Sequence, residues 1–86
     1  MYKLTWEHLS EKRALLHCYV QEWSIRTARE LDASVNELFE FLREEGYVEA
    51  YTLSPNKRFC EYMAGEVILE TEINNQKHWG FKWALK

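Results

Sequence analysis

The stretch that bears most directly on the fold runs from Thr27 to Val48, TARELDASVNELFEFLREEGYV. Two apolar segments with helical spacing lie on either side of Asp32-Ala33, which predicts two helices joined by a turn. Ser34, followed three residues later by Glu37, forms the S-x-x-E capping box that begins many helices. Gly46 stands where a left-handed C-cap is expected. The stretch therefore predicts a helix-turn-helix that leads directly into a strand.

Each predicted helix of this motif has an inner and an outer face. The first begins at Ser24 and places Arg26 and Arg29 on its outer face. In the second helix the apolar and polar side chains separate into opposite arcs of a helical wheel. The apolar arc comprises Val35, Leu38, Phe39, Phe41 and Leu42, and the polar arc comprises Asn36, Glu37, Glu40, Arg43 and Glu44.

A further helix is predicted on the N-terminal side of the motif. Ser10 is a suitable N-cap for it, although a start one and a half turns earlier, at Thr5, is an equally good interpretation. The apolar spacing i, i+3, i+4 and i+7 is met by Leu16, Tyr19, Val20 and Trp23. This spacing predicts one face packed on a core.

The C-terminal part loses the helical period. Tyr47 to Leu53 is rich in β-forming residues and predicts a strand. Ser54 to Gly65 has two interpretations: a helix capped by Ser54 with Pro55 at its first position, or a turn followed by a return strand. Residues 66–86 predict a hairpin.

The hairpin turn sets which side chains share a face. A two-residue Asn74-Asn75 turn places the apolar sets of the two strands on opposite faces. A three-residue loop that adds Gln76 places them on one face, so the three-residue loop is the prediction. It pairs Thr71 with Trp79, Leu69 with Phe81, and Val67 with Trp83.

The order of helices, turn, helix and strand resembles a winged helix-turn-helix domain of the kind found in bacterial and phage regulators. The resemblance covers about Ser24 to Val48 and reaches Met63 if the turn-and-strand interpretation holds, which the resemblance favours as a wing. It implies an α+β fold with a three-helix winged-helix-like core followed by an antiparallel β-sheet with a C-terminal hairpin. It also implies that the second helix of the motif enters the DNA major groove.

Composition restricts the class of protein. The chain has 86 residues, which we interpret as a single domain, residues 1–86, with a formal net charge of −3. It has no apolar run long enough to span a membrane and no signal-peptide pattern, so we expect a cytoplasmic protein without membrane contact. Cys18 and Cys60 are not in a CxxC pair and are expected to be buried thiols. No metal-ligand spacing, glycine-rich loop or catalytic motif is present, so we expect no cofactor, no metal and no enzymatic activity.

The charge of the predicted recognition helix favours a protein partner over DNA. Glu37, Glu40 and Glu44 on its outer face would repel phosphates, and Arg43 is the one cation among them. The leading prediction is a regulator or antagonist that binds a protein partner through Asn36, Glu37, Glu40, Arg43 and Glu44. The most specific version of this prediction is a DNA mimic, such as a phage protein that blocks a host enzyme. The alternative interpretation is that the glutamates only keep the outer face of the helix soluble.

DNA binding is the alternative function. It would use Arg26, Arg29, Asn36, Arg43, Lys57 and Arg58, the last two at the tip of the wing. The competing interpretation pairs Arg26 and Arg29 with nearby glutamates as an ordinary solvated face.

The aromatic residues of the last strand also admit several roles. The side chains of Trp79, Phe81 and Trp83 alternate along one strand, so they share a face. We expect this face to form core, with base stacking on single-stranded nucleic acid and a homodimer interface as alternatives.

Overall fold

The computed structural model describes residues 2–85. Within that range no helix is both long and apolar enough to cross a membrane. The elements in chain order are β1 (Tyr2–Ser10), β2 (Arg13–Val20), α1 (Ile25–Glu44), β3 (Glu49–Ser54), α2 (Lys57–Tyr62), β4 (Glu66–Ile73) and β5 (Gln76–Ala84).

One five-stranded sheet with the order β1-β2-β3-β5-β4 organises the molecule. β1 and β2 form an antiparallel hairpin, and β4 and β5 form another. β3 lies between the two hairpins, parallel to β2 and antiparallel to β5. α1 is the crossover that a parallel connection between β2 and β3 requires.

Both helices pack on the same face of the sheet and close one core. Leu31 and Leu42 of α1 and Phe81 of β5 are fully buried there, and Cys60 of α2 is nearly so. Among residues 2–85, the buried apolar side chains are Ala14, Leu16, Leu31, Val35, Phe39, Leu42, Ala50, Cys60, Phe81, Trp83 and Leu85. The fold therefore has two layers, one of helices and one formed by the sheet.

The opposite face of the sheet is polar around Glu49 of β3. Its carboxylate accepts a hydrogen bond from the Tyr51 hydroxyl at 2.8 Å and from Arg13 Nε at 3.0 Å, while Lys82 Nζ lies 3.7 Å away. The hydrogen bonds from Tyr51 and then Arg13 hold the pKa of the Glu49 carboxyl below its ordinary value. Side chains from three adjacent strands thus converge on one carboxylate on this face.

The predicted N-terminal helix is wrong, because its residues form β2 and part of the β1–β2 hairpin. Leu16 and Val20 are four residues apart, a spacing that lies on one face of a helix and also on one face of a strand. Apolar and polar residues alternate along β1, as expected for a strand: Tyr2, Leu4 and Trp6 are half-buried, and the residues between them are exposed.

The turn predicted at Asp32-Ala33 is also wrong, so the three-helix core is corrected to one long and one short helix. α1 begins as predicted: Ser24 is its N-cap, and the Ser24 hydroxyl accepts from Thr27 N. It continues through Asp32-Ala33 because neither glycine nor proline interrupts 25–44, and one buried stripe runs through Thr27, Leu31, Val35, Phe39 and Leu42.

Of the two capping residues expected in this stretch, Ser34 does not cap a helix, whereas Gly46 follows the end of α1 as predicted. Ser34 lies inside α1, where its hydroxyl is 2.6 Å from the Tyr2 hydroxyl of β1. Gly46 follows the helix with φ +95, which confirms the left-handed position expected there.

Residues 54–65 contain the short helix α2 and do not form a wing. α2 is capped by Asn56, whose side-chain oxygen accepts from Phe59 N, while the Ser54 hydroxyl accepts from Asn56 N. Ser54 therefore organises the turn before the cap instead of capping the helix itself. Lys57 and Arg58 begin this helix and do not form the tip of a hairpin.

The C-terminal hairpin is confirmed, but its predicted register is wrong. Asn74 and Asn75 form a two-residue turn, with φ of 52 and 64, and Ile73 pairs with Gln76. Asparagine tolerates positive φ, which suits the type I′ turn of such hairpins. Two-residue turns fit the twist of antiparallel strands better than a longer loop.

A bulge places Val67 on the same face as Phe81, although every side chain of β4 is exposed. Register shifts between Val67 and Leu69, so that Val67 pairs with Phe81 whereas Leu69 pairs with Gly80. The extra residue of a bulge moves the following side chains to the other face of the strand.

The core interpretation of the aromatic face is confirmed for Phe81 and Trp83. Phe81 is fully buried and Trp83 is 9% exposed. These two rings are therefore not available for stacking bases or for a homodimer interface.

Candidate functional site

The outer face of α1 presents three carboxylates in its C-terminal half. Glu37, Glu40 and Glu44 are exposed, and among residues 2–85 no cationic nitrogen lies within ion-pair distance of any of them. They lie on one side of a continuous helix whose other side is fixed in the core. We call these three residues the acidic face.

The two other residues of the predicted partner site are already engaged. Asn36 Nδ2 donates to the carbonyl oxygen and the carboxylate of Asp32, both at 3.0 Å. Arg43 donates through a terminal guanidinium nitrogen to the Leu85 carbonyl oxygen at 3.4 Å. Both side chains flank the acidic face, where they bond within the chain.

The residues predicted to contact DNA do not form a single surface. Arg26 pairs with Glu30 one turn along the helix, at 3.4 Å, and Lys57 Nζ lies 5.7 Å from the centre of the Trp79 ring. Arg43 is at the far end of α1. Arg29 and Arg58, in contrast, line the same depression.

That depression lies between the start of α1 and α2, and we call it the α1–α2 groove. Its volume is about 520 Å³. Trp23 and Phe59 meet there with ring centres 5.0 Å apart, and Phe59 is 6.2 Å from Tyr62. The groove is lined by Trp23, Ser24, Ile25, Ala28, Arg29, Asn56, Arg58, Phe59 and Tyr62.

Sequence reasoning missed this groove because its two walls are about thirty residues apart in the chain. Ser24 and Asn56 are both helix caps, and the sequence signal for each was local. Nothing in the spacing of Arg29 and Arg58 indicates that α1 and α2 begin side by side. Only the packing of both helices on one face of the sheet brings these residues together.

The three histidines lie apart, each with its own contact. His8 Nδ1 is 2.8 Å from the Tyr47 hydroxyl, His17 Nε2 is 2.5 Å from a Glu7 carboxylate oxygen, and His78 Nδ1 is 2.9 Å from the Gln76 carbonyl oxygen. Within residues 2–85 no three histidine, cysteine, aspartate or glutamate side chains are grouped as metal ligands.

The two cysteines have different surroundings, although both line a second cavity of about 260 Å³. Cys60 is buried as expected, but Cys18 is exposed, which corrects the expectation of two buried thiols. Burial raises the pKa of the Cys60 thiol to about 11. Its proton is held more tightly in the folded chain than in the unfolded chain.

We expect this shift to make the protein less stable in alkali. Between the ordinary thiol pKa of 9.0 and the folded pKa of about 11, the unfolded chain loses the Cys60 proton first, so the free energy of unfolding falls as pH rises. Urea titrations across this range should show a steeper fall for the parent protein than for Cys60→Ala. Tyrosines and lysines titrate in both proteins and cancel in the comparison. Equal slopes would contradict the prediction.

Compared with known proteins, the chain matches no family model, no curated protein and no solved structure. These comparisons give the winged-helix resemblance no support. Function is therefore inferred from the surface of this chain.

Proposed function

We propose that this protein is a non-catalytic cytoplasmic regulator or antagonist that binds a basic protein partner through the acidic face of α1. The observation that carries the proposal is the exposure of Glu37, Glu40 and Glu44, unpaired within the described residues, on a helix fixed by its buried side. A rigid helix with one charge sign suits a groove of opposite charge, since complementary potentials steer association and select partners.

The position of these charges supports a role in binding. The C-terminal end of a helix carries partial negative charge, and a carboxylate in the last turn costs about 0.3–1 kcal/mol of helix stability. Glu44 is the last residue of α1 and Glu45 is its C-cap. Sequences depart from local stability rules mainly at functional sites, where another requirement determines the residue.

The spacing also fits the sharper proposal of a DNA mimic. From Glu37 to Glu44 the helix rises by about 10 Å, because each residue adds about 1.5 Å. Over the same length, one strand of B-DNA advances by roughly three phosphates at about 3.4 Å each. Three carboxylates on the acidic face therefore present a similar linear charge density.

Reversing the three charges should abolish capture of the partner. We expect immobilised parent protein to retain a partner from host lysate, and Glu37→Lys/Glu40→Lys/Glu44→Lys to lose it by at least about tenfold, a change of about 1.4 kcal/mol. Circular dichroism of the variant should be unchanged, and its free energy of unfolding should rise slightly, because Glu44→Lys favours the helix dipole.

A matched control separates the site from the net charge. Glu11, Glu22 and Glu72 are exposed and lie outside the acidic face. Glu11→Lys/Glu22→Lys/Glu72→Lys changes the total charge equally and should retain the partner. Equal loss in both triple variants would indicate a net-charge effect, and retention by the acidic-face variant would rule out this site.

The DNA alternative is favoured by one observation, the placement of Arg29 and Arg58 in one groove. Against it, the fold lacks the second helix of a helix-turn-helix, since 25–44 is a single helix. Titrating the parent protein and Arg29→Ala into a labelled DNA duplex at low and moderate salt separates the two functions. Duplex binding by the parent protein that weakens steeply with salt and is lost in Arg29→Ala would favour DNA.

A further inference from the structure

We propose that the α1–α2 groove binds a small organic anion with a planar ring, of the size and chemistry of a nucleoside monophosphate. The groove lies at the N-terminal end of α1, away from the acidic face at the other end. It therefore adds a ligand site to the proposed protein-binding surface and does not depend on it.

The charge of the groove favours an anion. Arg29 and Arg58 both line it, and among residues 2–85 neither has a carboxylate within ion-pair distance. No aspartate or glutamate lines the groove, and the first turn of α1 contains no acidic residue. Two guanidinium groups without a carboxylate partner within ion-pair distance give the groove positive charge, which a bound phosphate can neutralise.

The rings of the groove favour a planar group beside that anion. Trp23 is 41% exposed and Tyr62 is 62% exposed, while Phe59 packs between them. Exposed aromatic rings gain by stacking on a planar ligand, and such stacking is tolerant of which base is present.

Two polar side chains that line the groove, Ser24 and Asn56, already accept hydrogen bonds within the chain. Asn56 Oδ1 accepts from Phe59 N and the Ser24 hydroxyl oxygen accepts from Thr27 N, so both acceptors serve as helix caps. The amide NH₂ of Asn56 is a further donor on the groove wall. The lining therefore offers mainly donors, which suits an acceptor-rich ligand.

The size of the groove and the charge of the whole chain favour a small ligand. Its volume of about 520 Å³ lies in the range of about 300–1,000 Å³ typical of small-molecule sites. A long polyanion would also meet the net charge of −3 and the acidic face. A single nucleotide is small enough to remain in the groove, at the opposite end of α1 from those carboxylates.

The test is a titration of ¹⁵N-labelled protein with adenosine monophosphate, followed by two-dimensional NMR. We expect the Trp23 indole N–H and the backbone signals of Arg29 and Arg58 to shift together. Adenosine and inorganic phosphate, which each supply half of the ligand, should bind at least about tenfold more weakly. Phosphate that binds as tightly as the nucleotide would overturn the proposal, as would the absence of shifts at millimolar nucleotide.

Arginine variants locate the site. Arg29→Ala and Arg58→Ala should each weaken nucleotide binding by about tenfold or more, because each removes a charge-assisted contact. Arg26→Ala is the matched control, since Arg26 lies on the same helix, has a side chain that is 88% exposed and does not line the groove. It should bind normally. Equal weakening in Arg26→Ala and Arg58→Ala would mean that nucleotide binds by general electrostatics and not in the groove.

A negative result for nucleotide binding can be distinguished from a negative result for protein binding through the acidic face. The acidic-face triple variant leaves every residue of the α1–α2 groove unchanged, so it should bind nucleotide like the parent protein. Loss of nucleotide binding in that variant would contradict the proposal.

Discussion

Phe81→Ala is expected to destabilise the protein by about 3–5 kcal/mol, as large-to-small changes of buried phenylalanine do. Phe81 is fully buried in β5, which lies between β3 and β4, and its ring stacks with Trp83 at 6.3 Å between centres. A domain of this size has a free energy of unfolding of about 5–15 kcal/mol, so this one change removes much of it. Urea denaturation followed by circular dichroism measures the loss.

Two further variants make this prediction specific. Phe81→Leu keeps most of the apolar volume and should cost clearly less than Phe81→Ala, which provides a measurable step if the alanine variant does not fold. Ile25→Ala removes an apolar side chain that is 75% exposed and should change stability by less than about 0.5 kcal/mol. A loss below about 1 kcal/mol for Phe81→Ala would mean that β5 does not pack under the helices as described.

Gly65→Ala should be destabilising by about 1–3 kcal/mol, the usual cost of overpacking. A methyl group at this position would lie 3.0 Å from Phe81 Cδ1, 3.0 Å from Trp83 Cζ2 and 3.1 Å from the Cys60 carbonyl oxygen. These atoms belong to buried rings and to the backbone, so none moves freely. Thermal and urea unfolding of the variant provide the measurement.

The neighbouring residue is the matched control for Gly65. Ala64 has φ 63, a left-handed conformation in which a methyl group costs about 1–2 kcal/mol. Ala64→Gly relieves that strain but increases the freedom of the unfolded chain, so the net change should be small. A neutral Gly65→Ala would show that α2 can move away from β5, although Trp83 Nε1 donates to the Met63 carbonyl oxygen at 2.9 Å.

Some features of this fold were predictable because one local interaction decides them. The start of α1 at Ser24 depends on one side-chain cap, and the end at Gly46 depends on one positive φ. The C-terminal hairpin follows from alternation on both sides of two asparagines. In each case the deciding residues lie within a few positions of one another.

Other features were decided by contacts that are distant in sequence. Leu16 and Val20 satisfy both a helical and an extended period, and pairing with β1 on one side and β3 on the other selects the strand. The alternation in Tyr2, Leu4 and Trp6 was the signal that could have favoured this hairpin. The register of β4 is set by the two-residue Asn74-Asn75 turn and then shifted between Val67 and Leu69 by a bulge, which leaves no clear mark in the sequence.

The candidate sites divide in the same way. Glu37, Glu40 and Glu44 were predictable as an exposed group, because one helical wheel contains all three. Their separation from the core holds whether the surrounding helix is short or long. Arg29 and Arg58 were predicted only as separate cations, because their common groove depends on where α2 packs.

The position of β3 in the sheet determines how the chain reaches its folded state. Each hairpin is closed by a two-residue turn and can form from neighbouring residues within about 1–10 μs. β3 has no such neighbour: it is separated from β2 by α1 and from β5 by α2 and β4. Its entry requires closure of two long loops, which is slow. Until β3 docks, β2 and β5 each present an unpaired strand edge, and the nascent protein is then most prone to aggregation.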